Sequence, residues 1–125
     1  MSKKVKVDEL TIEGIIYVPK ESIKELVPKR DGMTYVMVRT YSAGVHCGYL
    51  ESRDGKEVVL LDSIRIWKWD GAASLSQLSQ EGTNKPNGCK FGMPIVKITL
   101  TEAIEVIEMT KKAEESIKSI ESWKQ

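Results

Sequence analysis

The sequence predicts an α+β fold: a small antiparallel β-meander with one short internal helix and a helix at its C-terminal end. Three observations predict it. Residues 34–69 run through three β-rich stretches split by Tyr41-Ser42-Ala43-Gly44 and by Asp54-Gly55, and Asp-Gly between such stretches is a strong hairpin signal. Residues 73–80 carry Leu75 and Leu78 three apart, on one face of a short helix. Residues 111–122 place Ala113, Ile117 and Ile120 in one stripe behind Thr110, a residue type suited to capping a helix N-terminus.

In chain order, Leu10 to Pro19 reads as two short β-runs around Glu13-Gly14, a hairpin whose glycine supplies the turn. Residues 21–26 suit a short helix, with Ile23 and Leu26 on one face, ended by Pro28 and Asp31-Gly32. The chain therefore divides into an N-terminal hairpin and linker, 1–32, and a single α+β domain, 33–125. Strands are expected over 34–40, over 45–52 with Val45, Cys47 and Tyr49 on one face, and over 58–69. The last is long enough to bend or break near Asp62-Ser63. Residues 81–92 read as a polar loop. Pro94 opens a strand in which Val96, Ile98 and Leu100 alternate with polar residues; over 101–109 alternation favours another strand, while Ala, Glu and Met there also tolerate helix. Trp123 extends the Ile117–Ile120 stripe, able to pin the C-terminal end to the sheet or to a neighbouring subunit. An apolar stripe on a terminal helix predicts self-association as a homo-oligomer.

Composition narrows the function. Apolar residues make up 41% and charged residues 30%, a globular balance. With 19 basic against 18 acidic residues the net charge is +1, which gives no drive toward duplex nucleic acid. No apolar run approaches the roughly 20 residues of a membrane span, and Met1 to Lys6 has no apolar run behind its charges. A cytoplasmic protein is expected, with Cys47 and Cys89 as free thiols. The one histidine, His46, faces away from Cys47 by strand alternation and lacks an evident relay. Two cysteines and one histidine without paired spacing fall short of a zinc site. The expectation is a protein that is not an enzyme and needs no metal or cofactor.

Three segments are candidates for binding. Arg39, Thr40, Tyr41 and Ser42, ahead of Gly44, set a guanidinium and three hydroxyls at a strand end. That suits phosphate or ribose, although an ordinary hairpin turn explains the same residues. Trp67 and Trp69 fall on one strand face with Arg65, fit to stack a base. Ala72, Ala73 and Ser74 then open a helix whose N–H groups favour an anion. The plainer alternative is that both indoles are core and that Asp70 or Ser74 caps the helix. The third segment is the loop around Asn87, whose amides suit base edges and which is otherwise a connection.

The strings Val38-Arg39-Thr40-Tyr41-Ser42-Ala43-Gly44-Val45, Gly48-Tyr49-Leu50 and Trp69-Asp70-Gly71-Ala72-Ala73-Ser74-Leu75-Ser76-Gln77-Leu78 resemble a small family of bacteriophage and prophage genomes, catalogued mainly as a domain of unknown function. The resemblance covers about residues 33–123 and makes the 10–19 hairpin an N-terminal addition. It implies phage origin and action in the host cytoplasm. Among small phage proteins it points to the anti-defence sponges, oligomers that sequester cyclic nucleotide or cyclic ADP-ribose signals. The leading expectation is thus a non-enzymatic sponge for a small nucleotide-like ligand. Arg39 to Ser42 would hold phosphate and ribose, Trp67 or Trp69 would stack the base, and Ala72 to Ser74 would receive a second phosphate. The rivals are a virion or assembly protein, a direct protein inhibitor of a host enzyme and, last, an enzyme using His46 or Cys47.

Overall fold

The computed structural model describes residues 10–12, 15–17 and 25–125. Strands β1 (Leu10–Ile12) and β2 (Ile15–Tyr17) form the expected N-terminal hairpin, antiparallel, with Ile12 opposite Ile15. The Glu13-Gly14 turn and residues 21–24 of the expected first helix lie outside the described residues. Leu26, the end of that expected helix, is instead bridged to Thr110 in extended chain. Pro28 accounts for this, because a residue before proline is driven out of the helical region. Val27, so extended, is buried in the core and donates its N–H to Met109 O at 3.1 Å.

The main sheet contains β3 (Tyr35–Thr40), β4 (Val45–Asp54), β5 (Glu57–Lys68), β6 (Lys90–Phe91), β7 (Ile95–Leu100) and β8 (Ala103–Glu108), all paired antiparallel. Their order is β6-β5-β4-β3-β8, with β7 lying along the first half of β5. The meander and the strand at 101–109 are therefore as the alternation predicts, and the fold is α+β. The sequence missed β6, which is two residues long and sits inside the polar loop, after a 3₁₀ turn at Pro86–Gly88. The internal helix α1 (Leu75–Glu81) begins two residues later than expected because Ser74 caps it, accepting from Gln77 N at 3.2 Å. The terminal helix α2 (Lys111–Lys118) is capped by Thr110 and stops short of 122. The chain leaves it so that Trp123 N can bond Phe91 O at 2.8 Å.

The sheet cannot be flat. Strands β7 and β8 flank opposite edges of β5-β4-β3, yet Thr101 and Glu102 alone join them. Four interstrand spacings would separate them by about 19 Å in a flat sheet, and three Cα steps reach only about 11 Å. The sheet coils until the start of β8 reaches the turn between β4 and β5, where Ala103 N bonds Lys56 O at 3.0 Å. Inside the coil lie Val36, Val38, Val58, Leu60, Leu100 and Ala103. On the other face, Tyr35, Met37, Cys47, Ile64 and Ile66 pack against Leu78 of α1 and Ala113 and Ile117 of α2.

One irregularity joins the two faces. Between the Tyr49–Leu61 and Cys47–Ile64 pairs, β5 carries an extra residue, and Asp62 there has φ 51. This β-bulge shifts the alternation. Val58 and Leu60 face the inside of the coil, whereas Ile64 and Ile66 face the helices. Ser63, Arg65 and Trp67 thereby inherit the inner face. The bend expected near Asp62-Ser63 is this bulge.

Candidate functional site

At the open end of the coil is a hollow of about 330 Å³, within the usual size of small-ligand pockets. Three residues from β5 line it, Ser63, Arg65 and Trp67, with His46 from β4, Met93, Ile95 and Ile98 from β7 and its approach, and Trp123 and Lys124 from the C-terminal tail. Its two indoles stand 55% and 52% exposed. Trp67 and Trp123 meet edge to face, centroids 6.1 Å apart. The Arg65 guanidinium lies over the Trp67 ring at 4.7 Å, and Lys90 Nζ lies 5.0 Å from the Trp123 ring. Among the described residues no carboxylate lines the hollow, so its charge comes from Arg65 and Lys124.

The floor is polar and buried. His46 and Ser63 are each 1% exposed. His46 Nε2 lies 2.9 Å from Ala43 O, and since a carbonyl only accepts, Nε2 carries the proton. His46 Nδ1 and Ser63 Oγ are buried without a hydrogen-bond partner among the described residues. Burial lowers the His46 pKa, with Arg65 adding to the effect and the Ala43 bond opposing it, so the ring is neutral near pH 7. Gly48 keeps this floor clear: a Cβ there would come within 2.9 Å of Leu61 O and 3.3 Å of Ser63 Cα.

A neighbouring hollow of about 360 Å³, lined in part by Asp62, Ile117, Lys118 and Ile120, has its charges already paired. Asp62 binds Arg30, and Lys118 binds Glu114 at 2.6 Å.

Of the binding segments chosen from the sequence, only Trp67 and the Arg65 beside it line the 330 Å³ hollow. Arg39 is exposed on β3 and paired with Glu105 at 2.9 Å. It shares a row with Val45 and Ile66, so it lies on the face opposite Trp67. Thr40 donates to Gly44 O at 2.7 Å and accepts from Ala43 N at 2.8 Å, within its own turn. Ser42 donates to Glu102, and Tyr41 is 80% exposed. Trp69, expected beside Trp67, packs instead against the helix-side core, because β5 ends at Lys68 and the strand alternation ends with it. Ala72 packs there too. Ala73 N is taken by Gln77 Oε1 at 2.7 Å, and the Ser74 hydroxyl is occupied as the cap. Asn87 is exposed on the 3₁₀ turn.

The sequence shows no relay for His46 and does not single out Ser63. The signal that finds them is the bulge: counting strand alternation afresh from Ser63 puts Ser63, Arg65 and Trp67 on one face beside His46. The nucleophile candidate Cys47 is fully buried and its thiol is pushed up to about 12 by desolvation. Both cysteines are free. Among the described residues no cluster of His, Cys, Asp or Glu is arranged to hold a metal, and no helix is long and apolar enough to cross a membrane.

The family described as Domain of unknown function (DUF6948) matches residues 33–117. No curated protein and no solved structure matches the chain.

Proposed function

We propose that this chain, which belongs to the DUF6948 family, is a non-enzymatic binding protein that sequesters a nucleotide-derived ligand in the hollow between Trp67 and Trp123. The observation that carries the reading is the exposed Trp67 indole with Arg65 over its face at the mouth of a 330 Å³ hollow. Exposed aromatics beside a guanidinium serve planar, anionic ligands, stacking the ring and holding the charge. Binding without turnover is favoured because the Cys47 thiol is fully buried on the helix-side face, away from the hollow. The resemblance to phage proteins names the ligands to try first: cyclic dinucleotides and cyclic ADP-ribose isomers, acting as immune signals in the host cytoplasm. Calorimetric titration of the full chain with these compounds tests the reading, followed by denaturation and chromatography of the released ligand. Saturable binding with intact ligand recovered supports it; conversion of the ligand, or no binding by any of them, overturns it.

A second reading, an assembly or protein-inhibitor module, draws on the apolar edge of β7, where Val96 is 82% exposed beside Ile95 and Met93. The same edge is where self-association would be placed, because Ile117 of the α2 stripe is buried and Ile120 packs on the core.

A further inference from the structure

The floor of the hollow has a definite hydrogen-bonding sense. His46 Nε2 is committed as a donor to Ala43 O. In the neutral ring Nδ1 therefore holds a bare lone pair, and it is buried without a partner among the described residues. Ser63 Oγ, equally buried and unpartnered, can either give or take. The two residues are diagonal neighbours on the inner face: His46 pairs with Arg65 in the β4–β5 ladder, two residues from Ser63. An unpartnered buried polar group is costly, and two on one floor are groups that a ligand can satisfy.

We propose that this floor reads the hydrogen-bond-donating edge of a planar ring, which gives an N–H to His46 Nδ1 and sets its adjacent polar atom against Ser63 Oγ. The inference rests on the nucleotide-ligand reading above and deepens it by fixing the ligand's orientation. A phosphate cannot sit on the floor, because the Nδ1 lone pair repels an anion. The cations stand elsewhere: Arg65 is stacked on Trp67, and Lys124 belongs to the tail at the rim. The ring therefore enters edge first, between the indoles and the apolar wall of Met93, Ile95 and Ile98, and the anionic group stays at the mouth. Nucleobases with an N–H on their pairing edge have this chemistry. His46 and Ser63 are then specificity-determining residues, and Ser63 Oγ distinguishes a ring with a second polar atom beside the N–H from one without.

The chain's single histidine makes the test direct. Long-range ¹H–¹⁵N spectra of ¹⁵N-histidine-labelled full chain report its tautomer without assignment. The free protein is expected to show Nε2–H and bare Nδ1. Adenosine, guanosine, uridine and cytidine are then added singly, with inorganic pyrophosphate as the anion control. At least one nucleoside should move the Nδ1 resonance as a new hydrogen bond does, and pyrophosphate alone should leave it in place. Ser63→Ala should weaken that nucleoside's binding about tenfold, the equivalent of one hydrogen bond. It should leave the melting temperature unchanged or higher, since it removes an unpartnered hydroxyl. Nδ1–H in the free protein overturns the floor assignment alone. Nucleosides or nucleotides that quench tryptophan fluorescence without moving Nδ1 do the same and leave the binding reading standing. If no nucleoside or nucleotide binds, both fall together.

Discussion

An indole more than half exposed, such as Trp67, contributes little to a core. Trp67→Ala should therefore cost only about 1 kcal/mol of stability, the scale of its ring contacts with Trp123 and Arg65, while weakening ligand binding by about 1–3 kcal/mol, the worth of one stacked base. Trp69→Ala should do the reverse. Its indole packs against the helix-side cluster, so its loss should cost up to about 3 kcal/mol of stability and leave affinity in the folded fraction unchanged. Thermal melts and calorimetry on the two variants separate the roles; equal stability losses would put both rings in the core. The two tryptophans are alike in sequence, two residues apart, and alternation alone assigns them one face. Their separation comes from the end of β5, which local pattern does not mark. Arg39 shows the same limit. Its residue type suits phosphate, but Glu105 on β8 is distant in sequence and pairs with it, so its partner is set by tertiary register.

At the scale of elements, the strands other than β6 and both helices were legible because each depends on near neighbours: alternation, Asp-Gly turns, and the caps Ser74 and Thr110. Thr110 does two jobs, accepting from Ala113 N at 3.1 Å and donating to Gln80 O at 2.6 Å. It joins α2 to the end of α1. Thr110→Ala should lower stability by about 1–2 kcal/mol in chemical denaturation, and Thr110→Ser should recover most of that. The bulge at Asp62 was legible as a bend, but its consequence was not. Moving a stripe of residues from one face to the other requires knowing which strand pairs with which and in what register. Gly48 is the partner-strand half of that device. Gly48→Ala forces a methyl toward Leu61 O, and overpacking of this kind costs about 1–3 kcal/mol. The same substitution should weaken ligand binding by displacing Ser63. Full stability and full affinity in that variant would show that the close approach at Gly48 positions nothing.

For the whole molecule, a coiled sheet with a core on each face buries titratable groups on both sides of one strand. His46 and Cys47 are adjacent in β4 and belong to opposite faces, and their pKa values move in opposite directions. Desolvation lowers His46 below its ordinary 6.5, so the folded chain resists a proton that the unfolded chain accepts. The stability tied to that difference is complete above about pH 6.5 and is lost as pH falls toward the lowered value, at a slope of up to about 1.4 kcal/mol per pH unit. Desolvation raises Cys47 from 9.0 to about 12, against a smaller opposing effect of Lys118. Here the unfolded thiol loses its proton first, so stability is complete below about pH 9 and falls as pH rises from there toward 12. The Tyr35 phenol, also pushed up by burial, adds to that loss above about pH 10, where an unfolded tyrosine ionises. Denaturant unfolding measured from pH 5 to pH 10.5 should therefore give a plateau between roughly 6.5 and 9 with a descending limb on each side. His46→Gln can keep a donor to Ala43 O and should flatten the acid limb between pH 6.5 and 5 without touching the alkaline one. Cys47→Ala should lower the plateau through its cavity and delay the alkaline descent until Tyr35 takes over. An acid limb unchanged in His46→Gln would mean that carboxylates, and not the floor of the hollow, set the lower bound of stability.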